Sequence, residues 1–184
     1  RCSRDWSSDV CSSDLLLEVP LNSPKPLESI TLLAAQHPQL LVGAGTVLQA
    51  REVREVQAAG GRLIVSPHFD PEVVREAVRL GLACVPGVAT PSEAFAALAA
   101  GAHALKLFPA EMLTPAVLKA LRAVLPASVA LLPVGGIGPH NMAEYRRAGA
   151  SGFGIGSALY TPGRTAEQTA AAAHTFINTW SQLS

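Results

Sequence analysis

Apolar runs of four or five residues recur about every 22 positions along this chain, each followed by a stretch of helical character, and nothing else restricts the fold as tightly. That alternation is the signature of βα units and a parallel sheet. The spacing predicts seven strands, at Leu15–Val19, Leu40–Gly43, Leu63–Ser66, Ala83–Pro86, Ala104–Phe108, Ala130–Val134 and Gly152–Ile155. Helices are predicted at Pro26–His37, Val47–Ala59, Pro71–Leu80, Pro91–Ala100, Pro115–Leu125 and Pro139–Ala148, with a last one over Thr165–Gln182. Proline stands at or near the start of five of these, where its fixed φ suits the first turn and its missing N–H costs nothing. Gly60, Gly81, Gly101 and Gly149 are read as left-handed caps.

The strand ends carry conspicuous residues: Glu18-Val19-Pro20, Gly43 to Thr46, Ser66-Pro67-His68, Pro86-Gly87, Lys106 to Pro109, Val134 to Ile137 and Gly154 to Ser157. Functional groups gathered there suggest a barrel whose site lies at the C-terminal ends of its strands. Seven strands are one fewer than a (β/α)8 TIM barrel needs, so the expected fold is an α/β barrel of this type lacking its first strand–helix unit. Residues 1–14 repeat Ser-x-Asp units without helical or strand period and read as a non-native or disordered polar stretch. Residues 15–184 are expected to form one domain. An open barrel exposes two sheet edges, so a chain of this form is expected to be less stable and less active than a completed one.

The 184 residues, 49% hydrophobic, suffice for one sizeable core. Fourteen basic residues balance fourteen acidic ones, which leaves no footprint for nucleic acid or a membrane surface. No apolar run approaches the roughly 18 residues of a membrane helix, and no secretion signal is present, so a cytoplasmic location is expected. Of three cysteines, Cys2 and Cys11 lie in the polar repeat and Cys84 stands alone in an apolar run, so neither a disulfide framework nor a zinc site is expected. Cys84 reads as a core residue.

Within Ala104 to Ala110 the alternation of strand side chains puts Lys106 on one face with Ala104 and Phe108, and Leu105 and Leu107 on the other. Two readings stand for Lys106: a solvated surface lysine, or a buried amine that attacks carbonyl carbon. The flanking leucines favour the second, because desolvation makes a lysine amine nucleophilic. Glu18 is likewise a charge within an apolar strand, and is either a satisfied structural carboxylate or a proton carrier. With the missing strand counted first, Glu18 lies on the second strand and Lys106 on the sixth, opposite each other in an eight-stranded barrel, where their long side chains would converge at the mouth. One carboxyl group could then deliver the proton that carbinolamine dehydration needs and remove the one that enamine formation releases. Thr46 follows a glycine-rich tip and can donate to a substrate carboxylate. His68 is an acid/base candidate or a surface histidine. The glycine tips Gly135-Gly136 and Gly156-Ser157 are each compatible with a tight turn; together, at adjacent strand ends, they suggest a phosphate held on backbone N–H groups.

Six motifs in this order, Glu18 to Pro24, Val42 to Leu48, Leu63 to Pro67, Ala104 to Pro109, Val134 to Ile137 and Gly154 to Tyr160, resemble the 2-keto-3-deoxy-6-phosphosugar-acid aldolases. The resemblance runs from about Leu15 to the C-terminus. It implies a trimeric barrel without metal or other cofactor, and reversible cleavage of a phosphorylated 2-keto-3-deoxy sugar acid at C3–C4 to pyruvate and glyceraldehyde 3-phosphate. It places the Schiff-base lysine at Lys106, the acid/base glutamate at Glu18, the pyruvate-contacting threonine at Thr46 and the phosphate-binding backbone at Gly135, Gly136, Gly156 and Ser157. Pro67 and Phe108 correspond to residues lining the pyruvate end. Gluconate-type relatives carry an arginine where this chain has Asn22, and Leu-Asn-Ser-Pro is the galactonate form. The galactonate-type arginine belongs to a first strand not found here. A gluconate-type or 4-hydroxy-2-oxoglutarate aldolase is the nearest alternative; a phosphate-binding barrel isomerase or synthase, or an inactive fragment, is the alternative of another class.

Overall fold

The computed structural model describes residues 16–183; the polar repeat 1–14 and the expected strand start at Leu15 lie outside them. The chain divides into two compact units, with the boundary between Leu105 and Lys106. In the first, four parallel strands stand in sequence order: β1 (Leu16–Pro20), β2 (Leu41–Gly45), β3 (Leu63–Val65) and β4 (Ala83–Val85). Between and after them run α1 (Pro26–Gln36), α2 (Ala50–Ala58), α3 (Pro71–Arg79) and α4 (Pro91–Ala99).

One face of this sheet is apolar because alternate strand residues meet the helices. Val42, Ala44, Ile64 and Cys84 are buried with Ile30 of α1, Val53 and Val56 of α2, and Val73 and Ala77 of α3; Leu17 and Val19 pack against the same cluster. Each fully buried branched side chain there stabilises the unit by about 1.5–3 kcal/mol. Period-two alternation then puts Glu18, Pro20, Gly43 and Gly45 on the opposite face. The parallel register sets Glu18 beside Gly43 and Pro20 beside Gly45. Burial pushes the Cys84 thiol up to about 12, so this cysteine is the inert core residue its sequence context suggested.

Local chemistry accounts for the helix ends. Asp70 accepts from the N–H groups of Glu72 and Val73 at the start of α3, and Thr90 and Glu93 form a reciprocal capping box at α4. Pro26, Pro71, Pro91 and Pro115 all stand in first turns. Gly60, Gly81, Gly101 and Gly149 have positive φ, as expected for helix-terminating glycines.

The second unit holds the C-terminal half of β6 (Ala104–Leu107), its neighbour β7 (Ala130–Pro133), α5 (Pro115–Val124), α6 (Met142–Ala148) and α7 (Ala166–Ser181). Leu107, Leu118, Leu121, Leu131, Met142 and Tyr145 form its buried interior. Phe153 meets the rings of Tyr145 and Trp180 edge-on, and the Arg146 guanidinium lies 4.8 Å from the centre of the Trp180 ring.

Several expectations about elements change, and the helix expected from Val47 begins at Ala50, where Gln49 and Glu52 form a capping box. Ala83–Pro86 ends at Val85, and a two-residue strand β5 (Gly87–Val88) follows, because Pro86 has no N–H to give a ladder. The helix expected from Pro139 begins at Met142: Asn141 donates to the Gly136 carbonyl and accepts from Gly138 N–H, which holds 136–141 as a turn. The strand expected at Gly152–Ile155 is reduced to one parallel bridge between Val134 and Gly154, as glycines at 152, 154 and 156 weaken a strand. Among the described residues no helix is long and apolar enough to cross a membrane.

Candidate active site

Lysines in this chain live in contrasting surroundings. The Lys25 side chain is 75% exposed beside Glu28, Lys119 is exposed on α5, and Lys106 retains only 7% of its accessible surface. Leu105 and Leu107 take the packed side of β6, so Lys106 projects from the other, with its Nζ 4.7 Å from the centre of the Phe108 ring. A π face at that distance stabilises positive charge. An iminium is such a charge.

The segment after Lys106 is tied down at two points. Ala110 N–H donates to the Val134 carbonyl at 2.8 Å, which joins the end of β6 to the end of β7. The Tyr145 hydroxyl donates to the Ala110 carbonyl, also at 2.8 Å and buried. Burial first, then the Glu111 and Glu144 carboxylates, hold the Tyr145 phenol above its ordinary pKa, so it stays a donor. Local sequence offers no sign of Tyr145, since its partner is 35 residues away.

Beyond β7 the chain turns through Gly135 (φ 109°) and Gly136 (φ 61°). With Gly154, Gly156, Ser157 and the turn to His140, these glycines line an open cleft of about 620 Å³ that Phe108 also borders. Among the described residues the backbone N–H groups of Gly135, Gly136, Ile137, Gly156 and Ser157 have no acceptor. Backbone donors left without an acceptor along a cleft are able to bind an anion. The Glu111 side chain lies along the turn, 3.1 Å from where a Gly136 Cβ would stand, and is not part of the cleft wall.

In the first unit, Glu18 sits exposed at the upper part of β1 with its carboxylate over Gly45; a Cβ on Gly45 would overlap it. Thr46 follows directly and adopts φ 57°, a left-handed conformation that β-branched residues avoid. The tip therefore gathers a carboxylate and a hydroxyl held in a strained backbone. Pro67 lies at the end of β3, its carbonyl packed against Gly87, and His68 is exposed in the turn beyond it. So Lys106, Phe108, Gly135, Gly136, Gly156 and Ser157 belong to the second unit, and Glu18, Thr46 and Pro67 to the first.

Residues 14–173 match the family model described as KDPG and KHG aldolase. The 2-dehydro-3-deoxy-6-phosphogalactonate aldolase of Escherichia coli K12 is 45% identical over 165 residues, 89% of this chain and 80% of that protein. A solved structure described as native KDPGal superposes with a TM-score of 0.90 at 42% identity, over 97% of this chain and 86% of the other. A KDPG aldolase from Legionella pneumophila, solved with pyruvate captured at low pH as a covalent carbinolamine intermediate, superposes with a TM-score of 0.73 at 31% identity. That alignment covers 91% of this chain and 79% of the other.

Proposed function

The chain belongs to the KDPG and KHG aldolase family, and from that premise we propose that Lys106 is the Schiff-base amine of an aldolase that cleaves 2-dehydro-3-deoxy-6-phosphogalactonate. The observation that carries this reading is the burial of Lys106 within an apolar strand beside an aromatic face. The Lys106 amine adds to the C2 carbonyl of the keto acid. Loss of water from the carbinolamine, with a proton delivered by Glu18, leaves a protonated imine. The imine draws the C3–C4 electron pair as the C4 hydroxyl proton passes to the Glu18 carboxylate, which releases glyceraldehyde 3-phosphate and leaves an enamine. Glu18 returns a proton to C3, and hydrolysis of the resulting imine frees pyruvate and the lysine.

Thr46 donates to the carboxylate of the pyruvate portion, and Pro67 and Phe108 line that end. The Gly135, Gly136, Gly156 and Ser157 backbone takes the phosphate, which the unpaired N–H groups of the cleft support. Residues from Leu15 onward act as one aldolase domain in a cytoplasmic homotrimer, the assembly implied by the family resemblance. Assay of the purified protein with both 6-phosphorylated epimers tests the reading. The galactonate epimer is expected to be cleaved with the higher kcat/KM, with pyruvate and glyceraldehyde 3-phosphate in equal amounts; preference for the gluconate epimer would overturn the assignment.

A further inference from the structure

The cleft after β7 has a side chain that the glycine tips do not account for. Among the described residues that line it, His140 alone carries an ionisable group, and none is a lysine or arginine. Its imidazole is packed onto Gly138: a Cβ there would stand 2.7 Å from both Nδ1 and Cε1. Gly138 in turn is fixed by donating its N–H to Asn141 Oδ1 at 3.0 Å. The ring is therefore pinned against the turn that presents the unpaired N–H groups. Among the described residues neither ring nitrogen has a hydrogen-bond or ion-pair partner. Glu111 lies along the same turn and adds negative charge near any anion bound there.

Backbone dipoles and the Ser157 hydroxyl must then hold a phosphomonoester against that carboxylate, unless a further side chain contributes. We infer that His140 donates from its imidazole to the substrate phosphate, so that the cleft binds a phosphomonoester through main-chain N–H groups, the Ser157 hydroxyl and this imidazole. The inference rests on the phosphate reading of the cleft given above. It makes His140 a specificity-determining residue: it acts on the phosphorylated end of the substrate, remote from the bond that breaks.

The test compares kcat/KM for the 6-phosphorylated keto-deoxy acid with that for 4-hydroxy-2-oxoglutarate, an unphosphorylated keto acid open to the same cleavage. In His140→Ala the preference for the phosphorylated substrate should fall about tenfold, the size of one charge-assisted hydrogen bond, and the fall should lie in KM rather than kcat. His140→Lys should restore the preference. An unchanged ratio, or an equal loss for both substrates, would overturn the inference. If the protein cleaves neither substrate, the aldolase reading fails by itself, and titration with inorganic phosphate decides the role of His140. Phosphate binding that moves the His140 ring resonances and weakens about tenfold in His140→Ala supports it; no binding, or equal binding by both proteins, sinks it.

Discussion

In the sheet β1–β4, Gly43 and Gly45 stand where there is no room for a side chain, and neither has a left-handed φ. After β7, Gly135 and Gly136 have positive φ, and the N–H groups around them have no acceptor among the described residues. The first pair lets strands, and a carboxylate, approach one another; the second turns backbone donors towards a cleft. Glycine thus serves packing in one region and, in the proposed reading of the cleft, anion recognition in the other. The two uses should respond differently to the same methyl group.

Gly43→Ala should have the largest effect. Its Cβ would overlap the Leu63 main chain, which cannot swing away, so β2 and β3 would separate and stability should fall by roughly 3 kcal/mol or more. A urea melt reads this directly, and a near-normal midpoint would show that the strands have slack. Gly45→Ala, two residues on, meets only the end of the Glu18 side chain. That variant should fold normally yet lose turnover towards the about 10²-fold expected of Glu18→Gln, because a displaced general acid–base group is ineffective. Full activity in Gly45→Ala would show that the carboxylate works from another position.

Gly136→Ala should cost less stability, about 1–2 kcal/mol for a left-handed alanine. It should also weaken inhibition by inorganic phosphate, while Gly45→Ala leaves that inhibition unchanged. Equal phosphate inhibition in the Gly136 variant and the parent would break the contrast between the two regions. Smallest of all should be the effect of Glu76, which bridges α2 and α3 on the surface of the first unit. Arg79 first, then Arg54, hold its carboxyl down from 4.5 to about 2. A lowered folded-state value means that its contribution is full above pH 4.5 and is lost as pH falls towards 2. The gap in urea midpoint between the parent and Glu76→Gln should therefore shrink on acidification; a gap independent of pH would show that the ion pairs contribute nothing.

Legibility in the sequence followed the range of the interaction. Strands and helices driven by alternation, first-turn prolines and terminal glycines were readable, because those causes act within a few residues. Gly152–Ile155 was misleading, as its apolar spacing suggested a strand while its glycines left a single bridge. Lys106 was readable as anomalous, since its leucine neighbours imply burial. The fit of Glu18 over Gly45 was hidden, because it depends on the β1–β2 register, and the Tyr145 tie to Ala110 depends on the packing of α6. His140 fell within the helix expected from Pro139, and only the turn from Gly136 to Asn141 placed it beside the glycine tip.

The central claim is that one buried amine forms the covalent intermediate, and reductive trapping addresses it most directly. Borohydride added with pyruvate converts an imine to a stable secondary amine, and peptide mass mapping distinguishes Lys25, Lys106 and Lys119, the three lysines of the chain. The account predicts a pyruvate-derived adduct on Lys106 alone, and none in Lys106→Met. A label on Lys25 or Lys119, or pyruvate-dependent trapping that survives Lys106→Met, would contradict it.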